Sequence, residues 1–257
     1  MATAPGSCIY DHPLYYDILF GWDRDAEAAF YAASFRAHGV PANGRLLETA
    51  GGTGQVARRL ARRGFRVLAI DINPAMTAFL SNAAAEEGAI VEAITGDMTD
   101  FALAEPVDGA FCPMGSFCVL GSDTLALAHL ECMRRCMKPG GVYILDIGFA
   151  AAPQATLLDS VECWSMERGS VTVASQGKTI HVADKDRGVE LTLDWGEGLR
   201  VYTAAQMLAL VEKSGVFQIA GWHPQLRPGG EGISRFERGV MEPRPGLGRG
   251  MLVLRRR

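Results

Sequence analysis

Short apolar runs alternate with amphipathic stretches between residues 45 and 148. The apolar runs at residues 67–71, 90–95 and 107–112 have the length of buried strands, whereas residues 23–37 show helical periodicity. Such alternation predicts a doubly wound α/β fold, in which helices cover both faces of a mostly parallel sheet and the crossovers are right-handed. Folds of this kind bind their ligands at the carboxyl ends of the strands, where the strand order reverses.

The pattern changes after residue 148, where the chain becomes rich in β-branched residues and glycine turns. Four short runs predict strands of a small antiparallel sheet, inserted after the fifth strand and lying over the active-site edge: residues 163–167, 170–175, 178–182 and 189–195. We expect Thr203 to cap a further helix, and residues 216–222 and 250–254 to form the last two strands.

These patterns predict four parts along the chain. They are a helical arm or lid (1–40), a ligand-binding α/β core (41–148), a β-rich lid over the substrate (149–201), and the closing part of the core sheet (202–257). The last part contains a long loop, residues 223–248, which is rich in Pro, Gly and Arg. Loops of this length are usually functional or disordered.

Composition narrows the class of protein. A chain of 257 residues that is 48% hydrophobic and 21% charged suits one α/β domain with an insertion. The net charge of −4 and the pI of about 5.8 argue against a nucleic-acid binder. Residues 1–10 lack a secretory signal pattern, and no apolar stretch is long enough to span a membrane. The six cysteines lack C-x-x-C spacing, which favours reduced thiols and a cytoplasmic location.

Three possible metal ligands share one face of a predicted helix. His129, Cys132 and Cys136 are spaced i, i+3 and i+7, which can begin a zinc site. No fourth ligand lies near them in the sequence, and the same helix needs an apolar face to pack on the sheet. Because cysteine is often a small buried residue, we interpret the trio as core and expect no metal.

A glycine-rich turn follows the first strand of the core and contains the strongest functional signal. Gly51, Gly52 and Gly54 lead into a predicted helix at residues 55–63. Glycines let a ligand approach the backbone, and the helix directs its free N–H groups and positive dipole end towards that ligand. Asp71 ends the next strand, where such units bind a ribose diol. The pattern predicts a nucleoside-binding βαβ unit.

Two kinds of nucleoside site fit this turn. Gly52-x-Gly54-x-x-Ala57 matches the fingerprint of dinucleotide sites, which would indicate an NADP-dependent oxidoreductase. Against that interpretation, Glu48 ends the first strand, and a carboxylate there would repel a pyrophosphate but suit an ammonium group. The chain also contains no Tyr-x-x-x-Lys pair of the short-chain dehydrogenase kind. Glu48-x-Ala50-x-Gly52-x-Gly54 instead resembles the E/D-x-G-x-G-x-G motif of class I S-adenosylmethionine-dependent methyltransferases.

The match departs from that motif at one position. Ala50 stands where the family usually has its first glycine, and Gly51 follows one place later. Alanine fits this position if the backbone φ there is negative. The resemblance implies a Rossmann-like, mostly parallel seven-stranded sheet that binds S-adenosyl-L-methionine. By resemblance, the cofactor contacts are Tyr16, Glu48, Ala50, Gly51, Gly52, Gly54, Asp71, Ile72, Asp97, Met98 and Pro113.

Within this set the resemblance assigns separate roles. Glu48 would hold the methionine ammonium side, Asp71 the ribose and Asp97 the adenine amino group. The segment from Tyr10 to Phe20 resembles the arm of small-molecule methyltransferases of the ubiquinone-biosynthesis and glycine-methylating kind, in which a tyrosine contacts the cofactor or the substrate. Tyr16 is our candidate for that tyrosine.

Methyl transfer from a sulfonium is an in-line displacement, so the protein mainly aligns the nucleophile and the methyl group, and we expect no catalytic triad. Our candidate catalytic residues are Tyr16 and His181, with His12 and His223 as further possible bases. Aromatic faces can stabilise a cation, and an arginine can bind an anionic group. The candidate substrate contacts are therefore Tyr15, Trp22, Phe117, Trp164, Trp195 and Arg200.

The acceptor is not identified by any motif. We expect methylation at O, N or S of a small molecule, with no nucleic-acid or membrane partner. Exposed strands in the insertion would allow a homodimer. The alternatives are the NADP-dependent oxidoreductase and a non-catalytic protein that binds S-adenosylmethionine.

Overall fold

A computed structural model describes residues 8–148, 163–196, 200–224 and 249–257. The described helices are α1 (Pro13–Leu19), α2 (Asp25–Ala37), α3 (Gln55–Arg62), α4 (Pro74–Glu86), α5 (Asp123–Cys136) and α6 (Ala204–Ser214). The described strands are β1 (Arg45–Thr49), β2 (Arg66–Asp71), β3 (Val91–Thr95), β4 (Val107–Cys112), β5 (Met137–Gly148), β6 (Trp164–Arg168), β7 (Val171–Gln176), β8 (Thr179–Asp184), β9 (Val189–Asp194), β10 (Phe217–Pro224) and β11 (Arg249–Arg256). Short 3-10 turns at Ile9–Asp11 and Ser116–Leu120 precede α1 and α5.

Seven strands form the main sheet in the order β10-β11-β5-β4-β1-β2-β3. The five strands from β5 to β3 run parallel, and β11 and β10 are antiparallel additions at one edge. The prediction of a doubly wound, mostly parallel seven-stranded sheet is therefore confirmed. The strand order reverses between β1 and β4, so the carboxyl ends of these two strands form the expected ligand site.

A separate antiparallel sheet follows β5 and confirms the predicted insertion. Its order is β6-β7-β8-β9, and its inner face includes Val173, Ile180 and Leu193, all buried. These side chains pack in one apolar cluster with Ile18 and Leu19 of α1. The insertion is therefore held against the amino-terminal arm.

Two apolar clusters cover the faces of the main sheet. One contains α5 and α6 residues, such as Met133 and Met207, and the other contains α2 and α3 residues, such as Phe35 and Leu60. The predicted N-cap Thr203 forms a capping box with Gln206 of α6, and Asn73 caps α4 before Pro74. Of the long loop at 223–248, all but its first two residues lie outside the described residues.

Candidate functional site

The glycine turn between β1 and α3 has a tight backbone. Gly52 and Gly54 have φ angles of +53° and +68°, and the Gly54 N–H bonds to the Gly51 carbonyl at 2.8 Å. A Cβ on Gly54 would lie 2.1 Å from a methyl carbon of Leu80 on α4. Glycine is therefore required at position 54 for both its conformation and its size.

Ala50 differs from its expected conformation. Its φ is +51°, so the left-handed conformation that usually selects glycine is held by an alanine, and the condition of a negative φ, under which alanine fits easily, is not met. The chain turns sharply as it leaves β1, and that turn falls one residue before Gly51. A non-glycine residue there costs about 1 kcal/mol or more, which the surrounding contacts must offset.

Asp71 lies at the carboxyl end of β2, against this turn. One carboxylate oxygen accepts the Gly52 N–H at 2.8 Å, and the other accepts the Asn73 N–H at 2.9 Å. Burial raises the pKa of Asp71, and the two backbone hydrogen bonds oppose that shift. The next residue, Ile72, is 71% exposed, which is unusual for a large apolar side chain. The pair thus presents an acid and an apolar surface side by side.

Glu48 lies beneath the turn. Its side chain is buried, and its Oε2 accepts the Ala57 N–H at 3.2 Å in the first turn of α3. Burial raises the pKa of Glu48 to about 8, while the Ala57 hydrogen bond and the charges of Arg24 and Arg58 oppose the rise. A bound group that brings a positive charge here would favour the ionised form of Glu48.

The other side of the site is formed by the segments after β3 and β4. Asp97 is exposed, and its Oδ1 accepts both the N–H (2.7 Å) and the hydroxyl (2.8 Å) of Thr99. Met98, between Asp97 and Thr99 in the chain, is buried. Pro113 is buried as well, and Met114 follows with a φ of +64°. The structure therefore brings the glycine turn, Asp71 and these two segments to one edge of the sheet.

The amino-terminal arm covers the glycine turn. A Cβ on Gly52 would lie 3.4 Å from Cε1 of Tyr16, so the tyrosine ring rests directly on the turn. Tyr16 also packs on Tyr10, at 5.6 Å between ring centroids, and on Phe20, at 4.6 Å. Burial raises the pKa of Tyr10 to about 12 and that of Tyr16 further. Both phenols therefore stay protonated at neutral pH and can donate a hydrogen bond to a ligand.

Arg24 is a site residue that the sequence analysis missed. It is buried, it forms an ion pair with Glu27, and its guanidinium lies 4.5 Å from the centre of the Trp22 ring. It also contacts the sulfur of Met114, which joins the arm to the segment after β4. Arg24 stands in the charged run Asp23-Arg24-Asp25, which is typical of a solvated helix start, so no local signal marked it.

His181 lies away from this edge. It is exposed on β8, and its ring nitrogens lie within hydrogen-bond distance of Thr179 and Thr192. Its neighbours Ile180 and Val182 face the opposite way, towards α1. This placement argues against His181 as the base of a reaction at the glycine turn. The sequence alone could not show which face of the sheet His181 occupies, because a one-residue change of strand register exchanges the two faces.

Phe117 is part of the core rather than of an open site. It is fully buried, and its ring packs on His129 at 5.7 Å and on Tyr202 at 5.9 Å. Arg200 lies nearby on the surface, where it pairs with Asp123 at 2.8 Å and stacks on Tyr202 at 4.5 Å. Neither placement favours the predicted contact with a substrate.

The other predicted substrate contacts join the insertion to the arm. Phe20 lies 5.6 to 6.0 Å, between ring centroids, from Trp22, Trp164 and Trp195. The indole N–H of Trp164 donates to the Leu19 carbonyl at 3.1 Å. Tyr15 donates to Asp184 of β8 at 3.3 Å. These aromatic residues hold the two lids together, and their contact with a substrate stays a prediction.

His129 and the neighbouring cysteines make contacts within the core. The His129 ring nitrogens lie 2.9 Å from the Met98 carbonyl oxygen and 2.7 Å from the Tyr143 hydroxyl, and the thiol of Cys132 lies 3.3 Å from the Phe101 carbonyl oxygen. Within the described ranges, no three His, Cys, Asp or Glu side chains converge as metal ligands would. No described helix is long and apolar enough to cross a membrane.

Comparison with known proteins agrees with this geometry. Residues 46–141, which include most of β1, the glycine turn and β2 to β4, match the protein-family profile described as "Methyltransferase domain". A search of curated protein sequences finds no match.

Several solved structures share the fold over nearly their full length. A sugar N-methyltransferase from Streptoalloteichus is 21% identical, with 100% of this chain and 96% of that chain covered and a TM-score of 0.69. An amino pentose methyltransferase from Micromonospora echinaspora, solved with S-adenosylmethionine, is 24% identical, with 92% and 93% covered and a TM-score of 0.64. An S-adenosylmethionine-dependent methyltransferase from Clostridium acetobutylicum is 16% identical, with 96% of both chains covered and a TM-score of 0.69. Residues 46–141 thus match a methyltransferase domain, and the chain shares the fold of these solved methyltransferase structures.

Proposed function

We propose that the protein transfers a methyl group from S-adenosyl-L-methionine to nitrogen of a small-molecule amine. The observation that carries the proposal is the arrangement around Gly52: its N–H bonds to the Asp71 carboxylate, and its other side meets the Tyr16 ring. A turn of this shape, with an acid at the next strand and a lid of aromatic rings, suits a nucleoside joined to an amino acid.

The site provides a partner for each part of this cofactor. Asp71 would accept the ribose hydroxyls, with the exposed Ile72 against one face of the adenine. Asp97, on the opposite side, would accept the adenine amino group. Glu48 would face the methionine ammonium group, directly or through water, and Arg24 is the cation available for the carboxylate. Because Arg24 and Glu48 lie on the same side of the turn, their opposite charges match the zwitterion.

Charge favours an amine among the possible acceptors. Glu48 aligns with Phe111 and Ile144 across the sheet, and Asp146 lies two residues beyond Ile144, so both acids face α2. Glu27 of α2 adds a third carboxylate to this compartment. Because Glu48 is mostly protonated at pH 7 and Glu27 is paired with Arg24, Asp146 is the acid in this group that would attract a protonated amine and repel an anionic acceptor. Two of the similar structures are an amino pentose methyltransferase and a sugar N-methyltransferase, which agrees with this choice.

The chemistry requires alignment above all. The amine must give its proton to water before it attacks the methyl carbon in line with the departing sulfur; S-adenosylhomocysteine leaves, and the positive charge passes from sulfur to nitrogen. Tyr10, Tyr16 and Phe20 form an aromatic surface over the turn, and such faces stabilise a sulfonium by about 0.5–2 kcal/mol. Because Tyr16 keeps its proton at neutral pH, its catalytic part would be to orient the cofactor.

Calorimetric titration with S-adenosylhomocysteine, with NADPH as the control ligand, tests the cofactor. We expect S-adenosylhomocysteine to bind and NADPH to show no heat. Asp71→Ala should weaken binding about ten- to a hundredfold, because a hydrogen bond to a charged group contributes about 1.5–3 kcal/mol. Asp186→Ala, an exposed acid in the insertion, is the matched control and should bind as the wild type does. Binding of NADPH alone would overturn the proposal.

A turnover assay distinguishes an amine methyltransferase from the other acceptor classes and from a non-catalytic binding protein. Release of S-adenosylhomocysteine in the presence of small amines, and none with matching alcohols or thiols, is the expected result. Tight binding without release across all three acceptor classes would favour the non-catalytic alternative. The closer kinship with ubiquinone-biosynthesis or glycine-methylating enzymes remains a prediction.

We infer a cytoplasmic protein that acts on a small molecule, without a nucleic-acid or membrane partner. The structure describes all six cysteines, and none forms a disulfide, which suits a reducing compartment. A homodimer would most simply use β6, an edge strand of the small sheet, because Cys8 already bridges to Asp194 on the other edge. Light scattering of the purified protein would test that state.

A further inference from the structure

A buried chain of hydrogen bonds crosses the core beneath the proposed cofactor site. The His129 Nδ1 lies 2.9 Å from the Met98 carbonyl oxygen, and its Nε2 lies 2.7 Å from the Tyr143 hydroxyl. The same hydroxyl lies 3.2 Å from the hydroxyl of Thr49. His129, Tyr143 and Thr49 are each fully shielded from solvent. The chain thus runs from the segment after β3, through α5 and β5, to the end of β1.

The direction of every bond in this chain is fixed. The Met98 carbonyl can only accept, so the His129 Nδ1 must carry a hydrogen. Burial lowers the pKa of His129 to about 4, so the ring is neutral and its Nε2 accepts from Tyr143. The Tyr143 oxygen must then accept from Thr49. Such fully satisfied buried chains hold their members in one arrangement.

Both ends of the chain lie in segments that the proposed function assigns to the cofactor. Thr49 immediately precedes Ala50, whose backbone has the strained φ of +51°. At the other end, the peptide between Met98 and Thr99 is held twice: its carbonyl by His129, and its N–H by Oδ1 of Asp97 at 2.7 Å. His129 therefore helps to fix the orientation of the Asp97 carboxylate.

Asp97 then has one oxygen in place for a ligand. Its Oδ1 already accepts two hydrogen bonds from Thr99, so Oδ2 is the oxygen left to accept an exocyclic amino group. A carboxylate oxygen accepts from the amino group of adenine, but it meets the carbonyl oxygen of hypoxanthine with repulsion. The more rigid Asp97 is, the larger this discrimination between the two bases becomes.

We propose that His129 is a positioning residue that fixes the Met98–Thr99 peptide and so makes the site selective for a 6-aminopurine. The inference rests on the proposed function, because it assumes that the base of the cofactor lies against Asp97. His129 does not touch the ligand; it acts through the Met98 carbonyl.

Two substitutions at one position separate this role from a merely structural one. In His129→Asn the amide nitrogen lies where Nδ1 was and can still donate to Met98, whereas in His129→Gln the amide reaches towards Tyr143 instead. Calorimetry would compare S-adenosylhomocysteine with S-inosylhomocysteine, and thermal unfolding would check that both variants fold. We expect a wild-type preference for the adenine ligand that falls about tenfold in His129→Gln and is largely retained in His129→Asn.

The outcomes are distinguishable. A folded His129→Gln that keeps the wild-type preference would overturn the positioning role and leave the proposed function intact. A wild type that binds neither ligand would overturn the proposed function and this inference with it.

A measurement on the wild type covers the case in which the variants fail to fold. Nitrogen-15 NMR of labelled histidine should show His129 as the Nδ1–H tautomer between pH 5 and 8. The Nδ1 signal should shift when S-adenosylhomocysteine binds, and shift less with the inosine ligand. An Nε2–H tautomer, or a signal that responds equally to both ligands, would overturn the inference.

Discussion

Replacing Glu48 with glutamine tests the proposed contact with the methionine ammonium group. The carboxyl group is buried, its Oε2 accepts the Ala57 N–H at 3.2 Å, and its pKa is raised to about 8. A glutamine has nearly the same shape, and its amide oxygen can accept the same N–H. The substitution therefore removes the charge and the titration while it keeps the hydrogen bond that holds the start of α3.

The size of the effect follows from the pKa of Glu48. With a pKa of about 8, roughly one hundredth of the carboxyl groups are ionised at pH 6, one tenth at pH 7 and half at pH 8. An ammonium ligand selects the ionised form, so lowering the pH from 8 to 6 weakens its binding free energy by about 2.3 kcal/mol in total. Wild-type affinity should therefore rise about fiftyfold between pH 6 and pH 8, and binding at pH 7 should release almost one proton.

Calorimetry measures both quantities. S-adenosylhomocysteine would be titrated at pH 6, 7 and 8, in buffers with different ionisation enthalpies, so that the number of released protons can be counted. Glu48→Gln should bind more weakly at pH 8 and lose this pH dependence, and any proton that it still releases comes from the ligand's own amino group. If the wild type has flat affinity and releases no more protons than Glu48→Gln does, the reasoning is refuted.

The stability of the ligand-free protein should respond to pH in the opposite direction. Folding raises the pKa of Glu48 from its ordinary value of 4.5 to about 8. The group's contribution to stability is therefore fully present below about pH 4.5 and is lost as the pH rises through 8, because the folded protein must then bury a charge. Without ligand, Glu48→Gln should gain thermal stability over the wild type as the pH increases from 6 to 9.

Two further comparisons test the turn and the arm by chemical denaturation. Gly54→Ala should destabilise the fold by roughly 2–4 kcal/mol, since its Cβ would lie 2.1 Å from a methyl group of α4. Gly88→Ala shares a positive φ but has open space, so it should cost only about 1 kcal/mol, and equal losses would contradict the steric argument. Asp17→Asn should cost about 1–3 kcal/mol, because the buried Arg58 loses one of its two carboxylate partners and keeps Glu87. Arg168→Gln, which removes the half-exposed partner of Asp17, should cost under about 1 kcal/mol.

The sequence predicted those features that depend on neighbours along the chain. Gly54 and Asp71 belong to one βαβ unit, in which strand, turn and helix are adjacent, so spacing alone places the acid beside the turn. Thr203 could be identified as an N-cap for the same reason, because its partner Gln206 lies three residues away. Periodicity likewise located the strands of the insertion to within one or two residues.

Features that depend on distant contacts could not be predicted. The φ of Ala50 is set by how β1 leaves the sheet, and its small side chain gives no sign of a left-handed backbone. The charged run around Arg24 looks solvated until α2 packs beside the segment after β4 and buries the guanidinium. His181 could be placed on a strand, but the face that it occupies depends on what the other face packs against.

Asp17 shows why these distant contacts matter for function. Its carboxylate accepts from Arg58 of α3 and Arg168 of β6, each at 2.9 Å, and its carbonyl accepts from Gln55 at 2.8 Å. Gln55 is the first residue after the glycine turn, and Tyr16 next to Asp17 rests on that turn. The small sheet packs on the arm in one apolar cluster, so a displacement of that sheet that carries the arm must break the buried pair between Asp17 and Arg58. Because such a break costs free energy, the insertion and the cofactor turn are expected to move as one unit through the arm.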